Sequence, residues 1–101
     1  MVLPSVEQGN EHIWNQFTIR VLDGKRDAFK QTLLDDGIGC EIYYPVPMHQ
    51  QQCFADVVNH EQDLCANTEL LAKEVISIPV YPELKRAQQD IVIDAMRAFF
   101  K

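Results

Sequence analysis

A chain of 101 residues, 47% hydrophobic and 24% charged, is expected to form one globular domain with a core of its own. Nine Lys and Arg against fifteen Asp and Glu give a net charge of −6, and the basic residues are scattered. A groove that tracks phosphates needs a concentrated positive field, so nucleic acid and anionic membrane surfaces are disfavoured as partners.

Residues 1–10 have no period and read as an extended lead-in. Residues 11–21 alternate, with Ile13, Phe17, Ile19 and Val21 on one face and Asn15 breaking the apolar set, which predicts a strand. Asp23-Gly24 marks a turn. A helix follows from Lys25 to Asp36, with Ala28, Phe29, Thr32 and Leu33 as its inward stripe and Gly37 placed for a left-handed cap. Residues 38–44 predict a second strand, with Ile38, Cys40, Ile42 and Tyr44 on one face. From Val46 to Ala66 the chain is polar and weakly patterned, with one short turn expected around 51–57. Asn67 or Thr68 can cap a helix to Val75 with Leu70 and Leu71 inward. Ile76-Ser77-Ile78 predicts a brief strand stopped by Pro79. A last helix over 83–100 carries Leu84, Ala87, Ile91, Ala95, Met96 and Phe99 at helical spacing. The order β-α-β-loop-α-β-α predicts an α/β two-layer domain, a small β-sheet of about three strands packed by helices.

Between the second strand and the polar stretch lies Tyr43-Tyr44-Pro45-Val46-Pro47-Met48-His49-Gln50-Gln51. Its prolines fix their own φ and push Tyr44 and Val46 into extended conformations, so the segment is a stiff arm. It bears two phenols and an imidazole. Such an arm either shapes a ligand site or plugs the end of a sheet.

The remaining chemistry is sparse. His49 and Cys53, four apart, suit a metal site or a thiol–imidazole pair only if that stretch is helical, and no third ligand stands at a fixed spacing. His60 reads as solvated. Asn15 is either an edge amide bonded to backbone or a polar group aimed into a cleft. Cys40, Cys53 and Cys65 form no CxxC pair, which points to reduced thiols and not to a disulfide framework or a structural zinc site. No GxGxxG, GxxxxGK or GxSxG run occurs, and none of the five lysines sits in an apolar pattern suited to Schiff-base chemistry. Neither a signal peptide nor a membrane-length apolar run is recognisable, and a cytoplasmic location is the expectation. Residue by residue, the chain holds no complete catalytic set.

In order, however, several runs resemble the C-terminal part of the DegT/DnrJ/EryC1/StrS family of pyridoxal-phosphate-dependent nucleotide-sugar aminotransferases. They are His12-Ile13-Trp14-Asn15-Gln16-Phe17, Lys25-Arg26-Asp27, Gly37-Ile38-Gly39, Tyr43 through His49 with Gln51, and Ser77-Ile78-Pro79-Val80-Tyr81-Pro82-Glu83-Leu84. The resemblance implies the small domain of a fold-type-I aminotransferase over 11–101, entered through 1–10 from an N-terminal pyridoxal-phosphate-binding domain. That domain would hold the Schiff-base lysine, so this chain alone is expected to be inactive and to bind no cofactor. The whole enzyme, by the same resemblance, is a homodimer that carries an amino group from glutamate to a keto nucleotide-sugar.

The resemblance also places the arm and the start of the first strand at the cleft, with Asn15, Tyr43, Tyr44 and His49 as substrate-binding residues. Tyr43 stands where many members carry histidine, and Ala66 where they usually carry proline. A different class remains open: a free-standing α/β module that binds a small ligand or another protein. Exposed Trp14, Tyr43, Tyr44 and Met48 would favour a wall that packs on a further domain; burial of these side chains would favour the module.

Overall fold

The computed structural model describes residues 1–56 and 65–101. They form strand β1 (Phe17–Arg20), helix α1 (Arg26–Asp35), 3₁₀ turns at Met48–Gln50 and Gln52–Phe54, helix α2 (Ala66–Glu74), strand β2 (Val75–Ile78) and helix α3 (Arg86–Phe99). β1 and β2 pair antiparallel, Phe17 opposite Ile78 and Arg20 opposite Val75. Single bridges flank them, Val2 with Arg20 on one side and Glu41 with Ser77 on the other.

Apolar burial fixes the layers. Ile19 and Val21 from β1 and its exit, with Ile76 from β2, point toward Phe29 and Leu33 of α1 and Val92 and Met96 of α3. Phe29 is fully buried, and its ring centroid lies 5.2 Å from those of both Phe99 and Phe100. Helix α1 ends as Gly37 predicts. With φ +73° at Gly37, its N–H donates to the Leu34 carbonyl at 3.0 Å, and the Ile38 N–H donates to Leu33 at 2.8 Å. This doubly bonded cap satisfies two orphan carbonyls and carries Ile38 into the core beside Leu33.

The first expected strand is shorter than its alternation. Pairing beyond Phe17 would need residues past Ile78, where Pro79 offers no N–H. Trp14 instead takes a left-handed φ of 51° and donates its N–H to His12 Nδ1 at 2.9 Å. Ile13 is consequently 89% exposed rather than on the core face.

The expected 38–44 strand reduces to the Glu41 bridge for a similar reason. In that register Tyr43 would pair with Val75. The Val75 N–H is already bonded to the Leu71 carbonyl, and its carbonyl accepts from Arg26 Nη1 at 3.2 Å. At the other end Gly39 would face Pro79, again without a donor. The named sheet thus has two strands. Ile38 and Ile42 keep their inward parity, whereas Tyr44 is exposed.

Two helices are rotated or shifted against expectation. α2 starts at Ala66 with Cys65 at its N-cap, so Asn67 and Thr68 lie inside it. None of its residues is buried, and Leu70 and Leu71 are exposed. α3 begins at Arg86, leaving Leu84 outside; Ile91 and Ala87 face out while Val92 and Met96 turn in. Spacing alone permits either stripe; packing against Phe29 selects 92, 96 and 99.

Candidate functional site

At the end of the sheet where β1 begins and β2 stops, a pocket of about 320 Å³ opens. Asn15 and Gln16 form one wall. Gly39, Cys40, Glu41 and Tyr43 form a second, and Ser77 through Tyr81 close the floor. Local rules put these groups together. The Trp14 turn releases Asn15 from the sheet, the Glu41 bridge holds the approach to Tyr43 beside β2, and Pro79 sends Val80 and Tyr81 across the strand end.

The electrostatics are quiet. Ser77 is buried, and its hydroxyl lies 2.8 Å from that of Thr18, its cross-strand partner. Glu41 Oε1 accepts from the Ile42 N–H at 2.8 Å and from Lys30 Nζ at 3.2 Å. The amide bond first, then the ammonium, hold this carboxyl below its ordinary value. Burial pushes the Cys40 thiol up, against the pull of Lys30, so it is a poor nucleophile at neutral pH. The pocket can therefore offer amide, phenol and carboxylate hydrogen bonds, and no activated nucleophile.

The four sequence-derived site residues separate into groups. Asn15 and Tyr43 meet in the pocket. Tyr44, joined to Tyr43 by a cis peptide, is 73% exposed with its ring 5.8 Å from that of Tyr43 and does not line the pocket. His49 turns the other way. Pro47 delivers the chain into the Met48–Gln50 turn, and His49 Nε2 there lies 2.8 Å from Glu69 Oε1 on α2. That hydrogen bond is the main cause of a lowered Glu69 pKa. His49 therefore pairs with Glu69 and not with Cys53, whose thiol is 3.9 Å from Gln51 Oε1. Among the described residues, no cluster of three metal-ligating side chains exists. His60 lies outside the described residues.

Sequence reasoning overlooked Gln16, Glu41, Ser77 and Tyr81 as pocket residues. The Ser77–Leu84 run carried the signal for two of them, whereas Glu69 is twenty positions from its partner and gives none. Of the side chains whose exposure separates a wall from a closed module, Tyr43, Tyr44 and Met48 are exposed. Trp14 is half-buried, its ring 4.2 Å from His12 and 5.0 Å from Phe17. This pocket does not fit pyridoxal phosphate as a covalent host, because no lysine lines it and Lys30, which reaches Glu41 on its wall, is paired with that carboxylate.

Comparison with known proteins gives these residues a context. The profile of the DegT/DnrJ/EryC1/StrS aminotransferase family matches residues 1–97. A "pleiotropic regulatory protein" of Geobacillus stearothermophilus is 38% identical over the whole chain, which covers 26% of that protein. A UDP-N-acetyl-3-dehydro-alpha-D-glucosamine 3-aminotransferase of Acidithiobacillus ferrooxidans is 43% identical over 85% of the chain and 22% of its own length. Among solved structures, Streptomyces venezuelae DesV in complex with a ketimine intermediate matches with a TM-score of 0.88 at 34% identity, over 97% of this chain and 26% of DesV. Bacillus subtilis NtdA with bound cofactor PMP matches with a TM-score of 0.82 at 27% identity, over 96% and 22%. The chain thus spans about a quarter of the length of the curated relatives it matches. On the family profile and these two folds, the chain belongs to the DegT/DnrJ/EryC1/StrS aminotransferase family.

Proposed function

We propose that this chain is the C-terminal small domain of a pyridoxal-phosphate-dependent aminotransferase that moves an amino group from glutamate to a keto nucleotide-sugar. Its pocket forms part of the wall against which the sugar lies. The observation that carries the reading is the pairing of a close fold match to DesV with the meeting of Asn15 and Tyr43 at the sheet end. The name of the Acidithiobacillus relative supports a nucleotide-sugar acceptor, and PMP in NtdA supports the cofactor. The intact enzyme works as a cytoplasmic homodimer in this reading.

The cofactor supplies the electron sink for moving nitrogen between two carbons. Its host lies outside the residues described, and the tasks left to this chain are binding and orientation. The Asn15 amide and the Tyr43 phenol both donate and accept, which suits sugar hydroxyls. Tyr44, largely exposed beside Tyr43, extends that polar surface. His49 either reaches the sugar itself or braces the arm through Glu69, and the 2.8 Å contact to Glu69 favours the brace.

Kinetics of the intact enzyme test this. Tyr43→Phe and Asn15→Ala should each raise KM for the keto sugar about fivefold to tenfold, the loss of one hydrogen bond of about 1–1.5 kcal/mol, and leave KM for glutamate unchanged. Unaltered sugar KM in both variants would remove the pocket from the substrate path. His49→Ala should lower turnover under either role. If Glu69→Gln matches it, His49 is a brace; if Glu69→Gln is silent, His49 touches substrate.

A further inference from the structure

The charge in the sheet-end pocket comes from a single side chain. Asn15, Gln16, Tyr43, Ser77 and Tyr81 bring neutral polar groups to the lining, and Glu41 brings a carboxylate. Among the described residues, no lysine, arginine or histidine lines it.

Glu41 is held through one of its two carboxylate oxygens. Two backbone bonds to Ser77, at 3.1 and 2.7 Å, fix its Cα beside β2. Oε1 then accepts from both the Ile42 N–H and Lys30 Nζ. Oε2 has no partner among the described residues. A carboxylate anchored at one oxygen and open at the other is a pre-positioned acceptor, which a hydroxyl donor completes.

The carboxylate is an anion at neutral pH. The Ile42 amide bond first, then Lys30, hold its pKa below the ordinary value. Lys30 compensates the charge from behind, since it pairs with Glu41 without lining the pocket, and a ligand meets the carboxylate first. With one anion and no cation on the wall, a phosphate or carboxylate group is poorly matched. The hydroxyl edge of an uncharged ring fits, since the Asn15 amide and Tyr43 phenol accept and donate beside Glu41.

We propose that Glu41 is a specificity-determining residue of the sugar site. It accepts a hydrogen bond from a hydroxyl of a neutral hexose ring and rejects a ring that carries a carboxylate or phosphate. The diphosphate of the nucleotide then lies away from this wall. The proposal deepens the reading of the pocket as a sugar wall and rests on it.

Equilibrium binding to the intact, cofactor-loaded enzyme tests it. The probes are UDP-N-acetylglucosamine and UDP-N-acetylglucosaminuronate, which differ by one carboxylate and lack the keto group, so binding is read without turnover. Calorimetry should show a wild-type preference for the neutral probe of at least about tenfold. Glu41→Gln keeps an oxygen for the Ile42 N–H and Lys30 but removes the charge, and should shrink the preference to about twofold or less. Lys30→Met removes the compensating ammonium and should widen it. A purely structural Glu41 would weaken both probes alike and leave their ratio unchanged.

An unchanged ratio in Glu41→Gln, equal wild-type binding of the probes, or binding of neither overturns the proposal. Should Glu41→Gln fail to fold, Lys30→Met carries the comparison, and an unwidened ratio there overturns it. The aminotransferase reading is judged apart, by glutamate converting the bound cofactor from its aldehyde to its amine form, a step that involves no sugar. Where that conversion persists, only the role of Glu41 falls. Where it is absent, the reading falls and the proposal with it.

Discussion

The helical side of this molecule and its loop side hold their shape by different means. On the helical side, Phe29, Leu33, Val92 and Met96 are buried against Ile19 and Ile76, and shape complementarity sets the arrangement. On the loop side, α2 buries no residue, and directed polar contacts tie it down: Arg26 to the Ala72 and Val75 carbonyls, Arg20 to Glu74, and His49 to Glu69. Burial is non-directional and tolerates small shifts, whereas these bonds fix particular atoms. In the proposed reading, a wall that presents Asn15 and Tyr43 to a sugar gains from that second kind of order, while the core supplies the stability beneath it.

The sharpest way to separate the two halves is to damage each in turn. Phe29→Ala removes a fully buried ring and its contacts with Phe99 and Phe100, and should cost about 3–5 kcal/mol in denaturant unfolding. Against a typical total of about 5–15 kcal/mol, that is enough to loosen the whole chain. Arg26→Met keeps bulk but leaves the last carbonyls of α2 without their donor, at about 1–3 kcal/mol. Its effect should be local: faster amide exchange in α2 with exchange at Phe29 and Val92 unchanged. Arg26→Lys should restore only part of it, since the shorter side chain lacks the planar guanidinium that holds Nη1 at both carbonyls. Uniform exchange changes in both variants would dissolve the distinction between the halves.

The smallest effect is a pH dependence. Glu69 has a folded pKa below its ordinary value near 4.5, mainly through the His49 hydrogen bond. In that window the unfolded chain binds more protons, so the contribution is present above pH 4.5 and fades as pH falls through the folded value. Glu69→Gln should flatten the acid limb of the stability curve just below pH 4.5, and an unchanged limb would mean the pair is not closed in solution.

What could be read from the sequence follows the same division. Gly37 ends its helix as written, and Phe29 and Leu33 turn inward, because a left-handed cap and a helical stripe depend on residues a few positions apart. Ile13 alternates correctly with Phe17 and Ile19, yet its would-be partner lies beyond Pro79, a constraint sixty residues downstream. Tyr43 misses a strand because Arg26 and the end of α2 already occupy Val75. Ile91 and Val92 are equal by spacing, and only the position of Phe29 decides between them. At the site, the proline arm was visible as a stiff segment and the Ser77–Leu84 run through the family resemblance, and Asn15 and Tyr43 meet beside Ser77–Tyr81. The Glu69 partner of His49 was not visible, since nothing local distinguishes that carboxylate from its neighbours.

The account stands on the division of labour between this wall and the cofactor's host. Incubating the 101-residue chain with pyridoxal phosphate, then recording the visible spectrum and mapping lysines after borohydride reduction, tests it directly. The account predicts no new absorbance band and no cofactor fixed to Lys25, Lys30, Lys73, Lys85 or Lys101. A stable band whose reduction attaches the cofactor to one of these lysines would contradict it.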